Sequence, residues 1–176
     1  AVNQAFAQER FLIVEAGTGT GKTLAYLIPA VLSGEKVVVS TGTKTLQEQL
    51  FFRDIPFIQG KLGFLFKVSY MKGRGNYLCR RRFRHFSRQP LLKALKEISY
   101  YPVLNNWASR TQTGDRSELA ELPEDLELWK EICASSETCL GQGCEFFNRC
   151  FITRMRQEAA GSDVVIVNHH LFFADL

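Results

Sequence analysis

No apolar run in this 176-residue chain approaches the roughly 20 residues that a membrane-spanning helix needs; stretches such as Val164–Val167 are far shorter. No basic stretch leads into an apolar one at the start, so no secretory signal is visible. The five cysteines include no CxxC or CxxxC pair, and their odd number argues against a disulfide framework. Between Lys72 and Arg88 there is no acid at all, against seven cations, whereas Asp115 to Glu137 holds eight acids against Arg116 and Lys130. The net charge of +4 is too small to identify a partner, but its segregation marks a chain of unlike regions. At 45% apolar and 23% charged residues the composition is that of a globular protein, which excludes wholesale disorder. Ala1 at the start and the apolar Leu171–Leu176 at the end read as interior sequence, so a piece of a longer chain is expected.

Phe11–Val14 is a short apolar run suited to a buried parallel strand. Lys22–Leu32 places Leu24, Leu27, Ile28 and Val31 at helical spacing, with Pro29 expected to bend or shorten the helix and Ser33-Gly34 closing it. Lys36–Thr41 reads as a second strand, Thr43–Phe52 as a helix stopped before Pro56, and Phe64–Tyr70 as a third strand. This is the rhythm of a parallel α/β sheet. After Gly73 it breaks. Only patches such as Pro90–Tyr101 and Glu124–Ile132 look helical, and Thr111–Ser117 looks like a loop, before a helix around Ile152–Ala160 and a strand at Asp163–Asn168 restore it. A structureless loop of that length is rare inside a compact domain, so an inserted subdomain is expected, with Trp107 and Trp129 in its core. The boundaries read as 1–72, 73–154 and 155–176.

The octet Ala16-Gly17-Thr18-Gly19-Thr20-Gly21-Lys22-Thr23 fits the nucleotide-binding P-loop, with Ala where Gly is usual. Gly17, Gly19 and Gly21 let the backbone curl so that successive amides converge on phosphate oxygens, and the following helix adds its positive end. Lys22 is suited to the β- and γ-phosphates of ATP and Thr23 to Mg²⁺. The flanking strand and helix distinguish this from a chance Gly/Thr turn. Hydrolysis also needs an acid ending another strand. The strand at Asp163–Val167 ends instead in Asn168-His169-His170, and Asp175 follows too late, in an apolar segment expected to be helical. Two adjacent histidines at a strand end point opposite ways, which favours a loop or interdomain contact over metal ligation.

Cys133, Cys139, Cys144 and Cys150 lie at x5, x4 and x5 intervals, with Cys79 apart. A metal centre accounts for this better than a set of buried small hydrophobes. The wide spacing and the turns available at Gly141 and Gly143 favour an iron–sulfur cubane over zinc, which prefers tight knuckles. Spacing alone leaves open which cysteine is excluded. The cations from Lys72 to Arg88, interleaved with Tyr77, Phe83, His85 and Phe86, suit either a path for single-stranded nucleic acid or a solvated helix face.

AGTGTGKT, VVVSTGTKTLQEQL, KGRGNYLC, TCLGQGC and DVVIVNHHL, in this order, resemble the iron–sulfur superfamily 2 DNA helicases, and among them the bacterial DinG/YoaA branch related to XPD. The resemblance covers nearly the whole chain. It implies a RecA-like P-loop motor domain interrupted by a small, mostly α-helical or irregular [4Fe–4S] domain, in an ATP-dependent helicase moving 5′ to 3′ on single-stranded or forked DNA. It further implies cluster ligation by Cys79, Cys139, Cys144 and Cys150, with Cys133 outside the set, motif I at Ala16–Thr23, and DNA-backbone contact by motif Ia at Ser40–Thr45. A cytoplasmic, nucleoid-associated bacterial protein with replication or repair partners is the expected setting. The DEAH box, the adenine-reading Gln region and the second motor domain are expected outside these residues, so this piece alone is not expected to hydrolyse ATP. Two other classes share part of the pattern. A non-enzymatic iron–sulfur or zinc module would bind nucleic acid without turnover, and a P-loop kinase would need a lid and an acceptor pocket that the basic insertion does not resemble.

Overall fold

A computed structural model describes residues 1–92 and 94–174. The chain divides into two units, Ala1–Lys72 with Glu158–Leu176, and Gly73–Gln157. In chain order, α1 (Val2–Ala7), α2 (Lys22–Leu32), β1 (Val37–Thr41) and α3 (Lys44–Gln49) lead through a π-helical turn at Leu50–Asp54 into α4 (Ile55–Leu62) and β2 (Val68–Tyr70). The second unit holds α5 (Arg80–Arg88), α6 (Leu95–Arg110), α7 (Glu127–Ile132) and the start of α8 (Phe151–Ala160); β3 (Val164–Asn168) and α9 (His169–Ala174) then return to the first.

The three strands form one all-parallel sheet in the order β1-β3-β2, so the last strand in sequence is the central one. Val37 and Val68 both pair with Val164, from opposite sides. Being central, β3 is apolar along its length and covered on both faces. Val164 and Ile166 pack with Leu27, Val39, Leu50, Ile55 and Ile58. One residue out of phase, Val165 and Val167 face Ala159, with Met71 and Leu171 against them. Fully buried Gln47 ties this sheet to α3, donating to Met71 O at 2.6 Å and Ile166 O at 3.0 Å. The α/β architecture with a parallel sheet is therefore as the sequence indicates.

Several elements differ from the sequence reading. Phe11–Val14 forms no strand: it runs as coil with Phe11 and Ile13 fully exposed, and it pairs with none of β1, β2 and β3. An apolar run signals burial only where a ladder partner exists. The helix after Thr43 does not stop before Pro56. The π turn shifts the register so that Pro56 falls in the first turn of α4, where its missing N–H costs little. Helix α2 runs through Pro29 to Leu32 without being shortened. In the second unit, α6 starts later than Pro90, where Glu97 accepts from Ala94 N at 3.2 Å, and continues through Pro102 to Arg110 on the strength of buried Leu104 and Ala108. Asp175 lies outside the described residues.

The core of the second unit gathers Leu78, Leu104, Leu122, Leu128, Trp129, Ile132 and Phe151. Trp129 is buried and donates to Gly75 O at 2.7 Å; Trp107 packs at the core's edge, 6.0 Å from it between ring centroids. Glu118 orders the preceding loop by accepting from Trp107 Nε1 at 2.7 Å and Thr111 Oγ1 at 2.8 Å. At Gly114 the backbone is left-handed (φ 68°), and a Cβ there would lie 2.3 Å from the Phe151 ring.

Candidate nucleotide site and cysteine loop

The glycine loop turns between the coil at 11–16 and α2. Gly19 (φ 76°) and Gly21 (φ 78°) occupy the left-handed region that side chains resist, and Gly21 is the N-cap of α2. This leaves the first-turn amides of α2 at the loop's mouth, where an anion is favoured. Lys22 Nζ folds back over the loop, donating to Ala16 O at 2.5 Å and Gly17 O at 2.7 Å, while Thr20 Oγ1 donates to Gly17 O at 2.9 Å. The ammonium thus already stands over the cradle, on carbonyls that a phosphate would replace as its partner. Thr18, Gly19 and Thr20 are exposed, and Thr23 is half-buried.

A cleft of about 1140 Å³ opens beside this loop, lined among others by Phe6, Leu12, Val14, Lys22, Thr23, Tyr26 and Asp54. Its apolar wall and charged floor suit a flat ring carrying phosphates. Sequence reading passed over Tyr26, although it lies three residues after Thr23 on the same helical face. Burial pushes the Tyr26 hydroxyl above its ordinary range; a bond with the Thr23 side chain acts against this and Asp54 adds to it.

The 40–45 segment also reaches the cleft, through Ser40, Thr41 and Gly42. Thr41 Oγ1 donates to Thr43 O at 3.0 Å, and the Thr43 hydroxyl caps α3 by accepting from Leu46 N at 3.2 Å. His169 Nδ1 and Ser40 Oγ are hydrogen-bonded at 2.7 Å, a contact inside the first unit and at the start of α9 rather than in a loop. Lys72, buried, pairs with Glu48 at 3.0 Å.

In the second unit all five cysteines are free thiols. Cys79 is the N-cap of α5; Cys133 ends α7; Cys144 and Cys150 each follow a 3₁₀ turn, at Gly141–Gly143 and Phe147–Arg149. Among the described residues no group of three or more Cys, His, Asp or Glu side chains is placed to hold a metal ion.

The arginines of α5 make contacts inside the unit that neither sequence reading included. Arg80 Nε donates to Arg149 O at 2.9 Å and its guanidinium lies 4.1 Å from the Phe151 ring centroid. Arg81 donates to Thr138 O at 2.6 Å. Arg82 donates to Cys133 O at 2.9 Å and Lys130 O at 2.7 Å, satisfying carbonyls at the end of α7. Arg84 pairs with Glu145 and stacks 4.8 Å from the Phe146 centroid. Phe83 and Phe86 pack on the core. Much of the basic run is thus committed within the fold, and exposed His85 and Arg88 remain on its outer side.

Burial raises the Cys133 thiol above its ordinary range, with the Arg82 charge opposing. Alkylation of Cys133 at pH 8 is therefore expected to lag well behind that of exposed Cys139, because thiolate is the reactive form. Peptide mass spectrometry after timed iodoacetamide treatment checks this, and equal rates would contradict it. Burial, with Arg149 next in weight, lowers the Arg80 guanidinium from its usual value, the Cys150 thiol opposing.

A parallel sheet with a glycine loop opening its first long helix is the arrangement of P-loop folds, and residues 1–75 match the DEAD/DEAH box helicase family. Over its whole length the chain is 43% identical to the ATP-dependent DNA helicase YoaA of Haemophilus influenzae and 41% to that of Escherichia coli, covering 28% of each. It is 36% identical to the ATP-dependent helicase DinG of Mycobacterium tuberculosis, with 99% of this chain and 30% of that protein aligned. Along its whole length the chain is similar to DinG/YoaA-type helicases, and it spans less than a third of the length of the curated relatives it matches. Among the described residues no helix is long and apolar enough to cross a membrane.

Proposed function

We propose that this chain is the nucleotide-binding part of an ATP-dependent DNA helicase that moves 5′ to 3′ on single-stranded or forked DNA. The observation that carries the reading is Lys22 standing over a glycine loop at the mouth of a large cleft, in a sequence that aligns end to end with YoaA. Ala16–Gly21 supply backbone amides to the phosphates, Lys22 neutralises them, and Thr23 holds Mg²⁺. Residues 73–154 form the proposed inserted domain, with Cys79, Cys139, Cys144 and Cys150 as ligands of a [4Fe–4S] cluster. The chemistry of the donor set suits that group: the thiols are unpaired, and guanidinium groups beside them offset the negative charge that four thiolates bring. When bound, the cluster would tie the start of α5 to the 139–150 loop. Burial raises the Cys133 thiol, which disfavours the thiolate that ligation needs.

Purified without oxygen, the chain is expected to be brown, with absorbance near ~400 nm and about four irons per chain. Cys133→Ser should keep the iron, and serine at any of the other four cysteines should lower it. Stoichiometric zinc without a visible band would replace the cluster reading with a zinc module, and iron loss in Cys133→Ser alone would shift the ligand set to the four clustered cysteines.

A further inference from the structure

The four arginines at the start of α5 each reach a residue at or directly beside a different cysteine. Arg81 holds Thr138, next to Cys139; Arg84 holds Glu145, next to Cys144; Arg80 holds Arg149, next to Cys150; Arg82 holds Cys133 itself. The helix that presents them begins immediately after Cys79. Three of the four contacts go to backbone carbonyls, which a substitution elsewhere in the loop would not remove. The loop has little else to fix it. Leu140 is exposed, Gly141 and Gly143 carry no side chain, and Thr138, Glu145 and Arg149 lie in turns and a short 3₁₀ segment rather than in a long helix or a sheet. Rings complete the arrangement, with Arg84 and Arg149 both on Phe146 and Arg80 on Phe151.

We propose that α5 is a clasp: its arginines are positioning residues that hold the cysteine loop in register before any metal is bound. An ordered loop reduces the conformational entropy that four widely spaced thiols lose on converging. Arginine suits the task because its planar fork lets Arg82 serve two acceptors at once and lets Arg80 and Arg84 lie over rings while bonded, a geometry that lysine's point charge does not reproduce. The clasp bears on the cluster reading above, yet it is a property of the metal-free chain and is tested there.

The test is thiol labelling of the reduced, metal-free 176-residue chain. In an Arg81→Ala/Arg84→Ala double variant, iodoacetamide should label half-buried Cys144 roughly three- to tenfold faster, the order expected when charge-assisted bonds restraining a local opening are lost, while Cys139, already exposed, should change little. Cys79, at the other side of the clasp, should be unchanged and reports that the unit is folded. Arg81→Lys/Arg84→Lys keeps the charge and should nevertheless label like the alanine variant. Arg88→Ala, one turn along α5 and exposed, should label like the parent chain. Unchanged labelling in the alanine variant would overturn the proposal. So would parent-like labelling in the lysine variant, since charge alone would then account for the loop. Iron content plays no part in these rates, so a zinc or metal-free outcome of the preceding experiment leaves the clasp standing, and its failure leaves the cluster standing.

Discussion

Replacing Lys22 with Ala is expected to weaken MgATP binding by the 176-residue chain about tenfold to a hundredfold. Charge-assisted hydrogen bonds contribute about 1.5–3 kcal/mol each, and the ammonium stands free of any acid, on two carbonyls that leave when phosphate arrives. Titration calorimetry with and without Mg²⁺ separates this from Thr23→Ala, which should remove mainly the Mg²⁺-dependent part. An unchanged affinity in Lys22→Ala would place the phosphates elsewhere. Catalysis is a separate matter. Phosphoryl transfer depends on an acid that orients water and on arginines that stabilise charge, the latter alone worth about 10³ to 10⁵ in rate. The strand end that could supply the acid carries Asn168 and a histidine already bonded to Ser40. The chain alone is accordingly expected to hydrolyse ATP negligibly, and turnover near ~10 s⁻¹ would contradict this.

Gly114→Ala is expected to be the most damaging single methyl in the second unit. Two costs add: a left-handed backbone that a Cβ resists by about 1–2 kcal/mol, and a 2.3 Å overlap with a buried aromatic ring that a packed core cannot easily shift. Leu78 N also donates to Gly114 O at 2.9 Å, so displacement there pulls on the strand-like pairing next to Cys79. A loss of roughly 3 kcal/mol or more is expected, read as a lower urea midpoint for Trp129 fluorescence. Gly143→Ala, where a Cβ meets nothing within 4 Å, should leave the midpoint nearly unchanged. Equal midpoints for the two variants would refute the packing argument.

The parallel sheet, the glycine loop and the extent of α2 were legible because each is a local pattern: β-branched runs, glycines at fixed offsets, apolar residues at helical spacing. What was illegible depended on partners far away in sequence. Phe11–Val14 has the composition of a strand, yet it joins no strand of the sheet, and composition does not record pairing. Pro56 is a stop signal only if the helix keeps α register, and the π turn before it changes that register. The arginines of α5 read as a basic surface because charge is visible in a sequence while carbonyl acceptors are not; every residue contributes one, and nothing in the residue type of Thr138 or Arg149 marks it as a guanidinium site.

The place of β3 in the sheet sets an order of events for a nascent chain. With β1 and β2 bonded only to β3 among the described residues, synthesis as far as Tyr70 supplies a helix-flanked pair of strands with a vacant lane between them. Everything from Gly73 to Gln157 must emerge before that lane can be filled. The second unit, contiguous in sequence, has no such wait and can settle first, bringing its two ends to fixed positions and shortening the effective loop that the motor sheet has to close. On this view damage to the second unit also slows maturation of the first, and a chain stalled before Val164 presents unpaired strand edges that recruit chaperones or aggregate.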